Sequence, residues 1–146
     1  MKLIGWLVAA FVPAAIGAPF TGPDYYRRLA KPQWAPSPTV FGPVWTVLYT
    51  LMGLAAWLVA QRPGSGSALR LWVAQLVLNS AWTPIFFGLR NPGLALVELL
   101  AMWSVIAATT VAFFRRRTAA GALLLPYLAW VTFAGLLNFE VWRRNR

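Results

Sequence analysis

Long apolar runs alternate with short polar segments along most of this chain. Five such runs are present, and each approaches or reaches the length of a membrane-crossing helix. A bilayer core about 30 Å thick needs roughly 20 helical residues, so these runs predict transmembrane helices. The pattern therefore predicts an all-α integral membrane protein, a five transmembrane helix bundle with a long first loop, in one domain over residues 1–146. The predicted spans are 3–20, 39–60, 68–87, 93–114 and 118–142.

Composition supports a membrane protein. Hydrophobic residues make up 60% of the chain and charged residues 11%, whereas soluble proteins have roughly 25% charged residues. The net charge of +10 results from 13 basic and three acidic residues, and the basic ones lie mainly between or beyond the apolar runs. This placement is typical of anchors that meet lipid headgroups, so we expect the lipid bilayer as a partner and no nucleic acid. Six basic residues fall on one predicted side and seven on the other, which does not decide the orientation.

The residue types that are missing exclude many kinds of active site. The chain has no histidine and no cysteine, which excludes disulfides, thiolate catalysis, zinc or iron–sulfur sites and histidine-ligated haem. No nucleophile–base pair and no glycine-rich phosphate motif is evident. We therefore expect no metal and no cofactor, and the residue pattern alone assigns no catalytic residue.

The first apolar run admits two interpretations. Its length and its small residues near 15–17 are also found in cleaved signal peptides. The apolar stretch is longer than is usual for such a peptide, which favours a retained helix. Pro13 is predicted to kink this helix. Ala10, Ala14 and Ala18 recur every fourth residue, which predicts a face that approaches a neighbouring helix closely.

The stretch from Lys31 to Tyr49 combines prolines with aromatic residues. Proline fixes φ and disfavours helix in the residue before it, so the first half is predicted to be stiff and extended. The second half is predicted to be the start of a membrane helix. Residues 24–30 are predicted to form a short helix at the membrane surface, and the long loop as a whole is a candidate lid.

Two helices are predicted to carry aromatic stripes, because their large side chains recur every three or four residues. Polar side chains are costly in hydrocarbon unless paired, so Gln75 and Asn79 are predicted to face the bundle interior. These two amides could either form hydrogen bonds between helices or orient a ligand, and the sequence does not decide between the two roles. The stripes comprise Phe41, Trp45, Leu48, Met52 and Ala56 in one helix and Trp72, Gln75, Asn79, Trp82 and Phe86 in the next.

The chain contains nine tryptophans, several of them on these stripes. Rigid aromatic side chains give a large contact area at low entropic cost, so this pattern suits a large, flat and mainly apolar small molecule. Tryptophan is also common at membrane interfaces, and Trp6, Trp57 and Trp142 near span ends are interpreted in that way.

Two acidic residues lie inside predicted spans. A carboxylate in a membrane is costly, so Glu98 has either a structural partner or a role with a proton or ligand. A lone membrane carboxylate of this kind also fits a small proton-coupled exporter. Glu140 is predicted to pair with Arg143 or Arg144, at helical spacing.

Five motifs occur in the order found in a known family. They are Lys31-Pro32 with Trp34, FGPVWTVLY at 41–49, LNSAWTPIFFG at 78–88, PYLAW at 126–130 and LNFEVWRRN at 137–145. With these motifs the chain resembles the TspO family, also called the tryptophan-rich sensory protein or translocator protein family. The resemblance covers nearly the whole chain and is to bacterial members, which implies an integral protein of the bacterial cell envelope.

The resemblance implies a membrane protein that binds tetrapyrroles such as protoporphyrin IX, as ligand rather than cofactor, and acts as sensor or translocator. Animal members also bind sterols and benzodiazepine-site ligands, but the tyrosine of their sterol motif is Phe139 here, which argues against sterol binding. Light-dependent porphyrin degradation, with Trp45 and Trp130 implicated, is an alternative function. Export that uses Glu98 is a second alternative.

The resemblance also implies where the ligand binds. It places the pocket under the first loop, between helices that carry Trp45, Asn79 and Trp130. A homodimer is also implied, although Arg70 and Ala74 stand where some relatives have two small residues, four positions apart, at the dimer face. The ligand-binding residues predicted in total are Trp34, Phe41, Trp45, Asn79, Trp82, Trp130, Ala134 and Leu137.

Overall fold

The computed structural model describes residues 2–21 and 23–146; Met1, and Gly22 in the predicted long loop, lie outside the described residues. All regular secondary structure in these ranges is helical, as predicted. Residues Ala18–Phe20 form a 3₁₀ turn, and residues Pro84–Gly88 form a π-helical turn. The helices are α1 (Leu3–Ala10), α2 (Val12–Gly17), α3 (Pro23–Arg28), α4 (Pro38–Ala60), α5 (Gly66–Thr83), α6 (Pro92–Arg116) and α7 (Thr118–Asn145).

Four helical segments in the described ranges are long and apolar enough to cross a membrane. The helix α5 falls short of this apolarity because Arg70, Gln75 and Asn79 interrupt its hydrophobic residues. The structure therefore supports four of the five predicted spans. The passage of α5 across the membrane stays a prediction. The four segments are Leu3–Phe20, Pro38–Ala60, Pro92–Arg116 and Thr118–Asn145.

The first span is interrupted near Pro13, as predicted from the sequence. The helix breaks at Phe11, two residues before Pro13, whose ring nitrogen has no hydrogen to donate to the preceding turn. The prediction of a close-packed alanine face is only partly correct. Ala10 is buried, but Ala14 and Ala18 are exposed in the segment after the break.

The helices form a closed ring in which each packs against its neighbours. Around the ring, α1 packs on α4, α4 on α7, α7 on α6 and α6 on α5, while α2 closes the ring against α5. Close packing of α1 on α4 requires Gly53, because a Cβ there would lie 2.9 Å from the Cα of Leu7. The interior of the ring is closely packed around Met52, Trp72 and Tyr127. At the end of the bundle near α2 and α3 the interior contains a cavity.

The structure corrects the interpretation of Trp6 as an interfacial residue. Its ring packs edge-on against Trp72, with centroids 5.5 Å apart, and its indole N–H is buried without a hydrogen-bond partner among the described residues. Trp6 therefore belongs to the contact between helices. Trp142 lies in the last turns of α7 with the guanidinium of Arg146 over its ring at 5.2 Å, which is consistent with an interfacial position.

The predicted ion pair at the end of α7 is confirmed and is shared between two arginines. Arg143 and Arg144 both donate to the same oxygen of Glu140, at 2.6 and 3.0 Å. These side chains are partly exposed, so the pairs contribute little to stability.

Candidate ligand-binding cavity

A cavity of about 670 Å³ lies between α2, α4, α5, α6 and α7, with α3 at its rim. Ligand sites of small molecules usually measure roughly 300–1,000 Å³ and have mainly apolar walls. Aromatic side chains supply much of this wall. They are Phe11, Tyr26, Phe41, Trp45, Tyr49, Trp82, Phe86, Phe87, Trp130 and Phe133.

The structure brings most of the predicted ligand-binding residues together in this cavity. The exception is Trp34, which does not line the wall and is exposed. Its ring packs against that of Phe133, with centroids 5.5 Å apart, and so supports the wall from outside. The predicted residues that line the cavity are Phe41, Trp45, Asn79, Trp82, Trp130, Ala134 and Leu137.

A buried hydrogen-bond network joins three helices beside the cavity. The amide of Asn79 donates to the hydroxyl of Tyr127 at 2.7 Å, and its oxygen accepts from Tyr49 at 3.2 Å. The Tyr127 hydroxyl donates in turn to Gln75 at 2.7 Å. The prediction that Gln75 and Asn79 face the interior is confirmed. Of the two amides only Asn79 also lines the cavity, where it can meet a polar group of a ligand.

A second set of hydrogen bonds orients an aromatic wall residue. The indole N–H of Trp82 donates to the side-chain oxygen of Asn138 at 3.1 Å, and the Asn138 amide donates to the carbonyl of Pro92 at 2.8 Å. Asn138 lines the cavity and was not among the predicted site residues. Its position four residues after Ala134, on one face of α7, is the signal that could have identified it.

Other wall residues were missed for different reasons. Tyr49 lies four residues after Trp45 on the same face of α4, so the stripe could have included it. Phe87 had no such signal, because α-helical spacing places it off the stripe of Trp82 and Phe86. The π-helical turn after Pro84 brings it to the wall, where its ring lies 6.1 Å from that of Trp82.

The cavity is open on one side of the bundle. Ala14 and Ala18 on the first span, and Gly42 and Thr46 on α4, line the cavity and are exposed. Small side chains at these positions leave a gap between the two helices. In a bilayer this gap faces lipid, because both segments are candidate spans.

The segment 23–37, which we call the lid, is held together by hydrogen bonds of its own and is joined to the end of α7. The hydroxyl of Tyr26 donates to the carbonyl of Pro36 at 2.8 Å, and Lys31 donates to the carbonyl of Tyr26 at 2.7 Å. The side chain of Asn145 exchanges two hydrogen bonds with the backbone of Ala30. Burial raises the pKa of Tyr26 to about 12, so its hydroxyl keeps its proton at physiological pH. The lid is therefore an ordered cover.

Replacing Tyr26 by phenylalanine should loosen the lid. The variant loses the hydrogen bond to Pro36, which contributes about 1 kcal/mol to the internal structure of the lid. Because this loss of about 1 kcal/mol makes local opening of the lid more frequent, we expect proteolysis within residues 27–37 to be about five times faster. The control is Tyr25→Phe, because Tyr25 makes ring contacts with Phe86 and Phe87 and its hydroxyl has no hydrogen bond in the described residues. Equal cleavage rates in both variants would contradict this role of Tyr26.

Glu98 lies inside the bundle without a visible partner in the described part of the chain. Both carboxylate oxygens are buried and have no hydrogen-bond partner among the described residues, so the predicted structural pairing stays a prediction. Glu98 also does not line the cavity, although its neighbour Leu99 does. A role with a proton stays a prediction. Phe139, the residue that breaks the sterol motif, is exposed and packs on Trp142 outside the cavity.

Comparison with known proteins identifies the family. A sequence model of the TspO/MBR family matches residues 3–143. The tryptophan-rich sensory protein of Cereibacter sphaeroides is 48% identical over 140 residues, which cover 96% of this chain and 89% of that protein. The human translocator protein is 43% identical over 150 residues, covering 97% and 89%. Protein CrtK of Rhodobacter capsulatus is 37% identical over 144 residues, covering 96% and 90%.

These matches extend over nearly the whole chain and confirm the resemblance inferred from the motifs. Together with the apolar helices, they establish a membrane protein. The chain belongs to the TspO/MBR family of tryptophan-rich sensory and translocator proteins.

Proposed function

We propose that this protein binds a flat tetrapyrrole of the protoporphyrin IX type in the cavity and acts in its membrane as a sensor or translocator. The observation that carries the proposal is the cavity itself, with its volume of about 670 Å³ and its mainly apolar wall, to which ten aromatic side chains contribute. Indole and phenyl faces suit the stacking of a large conjugated ring, since aromatic pairs are favourable beyond the area they bury.

A few polar groups at the wall would fix the orientation of such a ring. Asn79 and Asn138 are held by hydrogen bonds to other helices, so their side chains are already positioned before a ligand arrives. Preorganised polar groups in an apolar site give specificity without a large ordering cost.

The open side of the cavity supports exchange of the ligand with the bilayer. An apolar ligand partitions into lipid, and the gap at Ala14, Ala18, Gly42 and Thr46 faces the lipid region. The relatives are named as sensory and translocator proteins, and both activities need a ligand that enters and leaves. In this proposal α5 crosses the membrane with the other helices, since its polar Gln75 and Asn79 are satisfied inside the bundle.

The proposal is tested by titrating the purified protein in lipid nanodiscs with protoporphyrin IX. We expect saturable quenching of tryptophan fluorescence at one ligand per chain. Linear quenching that matches partition into empty nanodiscs would reject a defined site.

Light-dependent porphyrin degradation is a second candidate, because both implicated tryptophans, Trp45 and Trp130, line the cavity. Turnover of several equivalents of porphyrin that requires these two residues would support it. A single bleaching event, equal in empty nanodiscs, would reject it.

A further inference from the structure

We propose that Arg27 makes the cavity selective for ligands that carry a carboxylate at the edge of an apolar ring. This inference rests on the proposed function and specifies its ligand class. The apolar body of the ligand fills the cavity, and the carboxylate pairs with the guanidinium of Arg27 at the rim.

The first observation is the charge of the wall. Among the described residues that line the cavity, Arg27 is the only charged one. The remaining polar wall residues are threonines, tyrosines and asparagines, which are neutral. The site therefore presents one cation and no anion to a ligand, and a ligand with a negative group at one end complements this distribution.

The second observation is that no described residue hydrogen-bonds or ion-pairs with the Arg27 guanidinium. Both ion pairs among the described residues belong to Glu140, far from α3 in sequence. The neighbouring Arg28 donates to the carbonyl of Asp24 at 3.3 Å, whereas the only hydrogen bond of Arg27 in the described part of the chain is through its own carbonyl, which accepts from Lys31 at 3.4 Å. The donors of the Arg27 side chain are thus available to a ligand.

The third observation is that the backbone of Arg27 is held in place. Its neighbour Tyr26 is buried and bonded to Pro36, and Lys31 donates to carbonyls at the end of α3. The guanidinium is therefore tethered to a fixed point at the rim while its side chain remains exposed. Such a planar fork matches a carboxylate in two parallel hydrogen bonds.

The test compares protoporphyrin IX, which carries two carboxylates, with its uncharged dimethyl ester. Both are titrated into the full chain in nanodiscs of neutral lipid, in the unchanged protein and in Arg27→Gln. The control is Arg28→Gln, which removes the same charge from the adjacent position but does not line the cavity. Because each ligand is compared across the three proteins, differences in its partition into lipid cancel.

We expect Arg27→Gln to weaken binding of the free acid by a factor of about three to ten at low salt, as for a charge-assisted pair at a partly exposed site. Binding of the ester should not change, and Arg28→Gln should change neither ligand. The loss of affinity for the free acid in Arg27→Gln should be smaller at high salt.

Two outcomes would overturn the inference, and only one of them also overturns the proposed function. If both porphyrins bind saturably and Arg27→Gln leaves both affinities unchanged, or matches Arg28→Gln, Arg27 is a membrane-surface anchor and the inference is wrong, while the proposed function stands. If neither porphyrin binds saturably to the unchanged protein, the proposed function fails, and the ligand class fails with it.

Discussion

Replacing both Trp45 and Trp130 by alanine should reduce the affinity for protoporphyrin IX by roughly 100-fold. Each indole supplies a large part of the apolar wall, and truncation of a central aromatic contact typically costs about 2 kcal/mol or more. Because the variant also loses two fluorophores, binding is measured by the absorbance of the porphyrin instead of by quenching. We expect each single variant to show an intermediate loss.

The control for this experiment is Trp103→Ala. Trp103 lies on α6, is 38% exposed, does not line the cavity and donates its indole N–H to Thr132 at 2.8 Å. Its removal changes the tryptophan content while leaving the cavity wall intact. Unchanged affinity in the double variant, or an equal loss in Trp103→Ala, would contradict the site.

Replacing Asn79 by leucine should weaken both the fold and the site. The variant removes the amide that links Tyr49 and Tyr127, and both hydroxyls are buried. Hydrogen bonds between membrane helices contribute on average about 0.6 kcal/mol each, and a buried group left without a partner costs roughly 1–3 kcal/mol. We expect the free energy of unfolding to fall by about 1–3 kcal/mol in a thermal or denaturant titration, since Tyr127 keeps its bond to Gln75.

Two matched variants on α5 separate the roles of this amide. Gln75→Leu removes a network member that does not line the cavity, so stability should fall while porphyrin affinity is retained. Ser80→Ala removes a hydroxyl that bonds only within its own helix, to Leu76, and should change neither quantity. If Gln75→Leu reduces affinity as strongly as Asn79→Leu, the effect of Asn79 on the ligand acts through stability alone.

The helical fold and much of the cavity wall could be predicted because each had a periodic signal. Apolar runs of bilayer length gave the helices within a few residues, and side chains spaced by three or four gave the faces that carry Trp45, Asn79 and Trp82. Trp130, Ala134 and Leu137 came from the family resemblance. The four spans that the structure supports are those with an unbroken apolar run, whereas α5 carries polar residues that only the folded bundle satisfies.

The features that were missed depend on contacts between elements. Trp6 was predicted to be interfacial because it lies near the end of a predicted span, and only the packing of α1 shows that it meets Trp72. Phe87 reaches the wall through a π-helical turn, which breaks the spacing that sequence periodicity assumes. The sequence predicted Arg27 to be one of several basic anchors at the membrane surface. Its position at the cavity rim depends on how the lid packs over the helices.

Determining the structure of the protein with protoporphyrin IX bound tests the central claim most directly. We predict that the macrocycle lies in the cavity, in contact with Trp45 and Trp130, with a polar group near Asn79. A porphyrin bound elsewhere would contradict this site. The polar groove beside Arg90, Trp142 and Arg146, or the lipid-facing surface of the bundle, would be such a place.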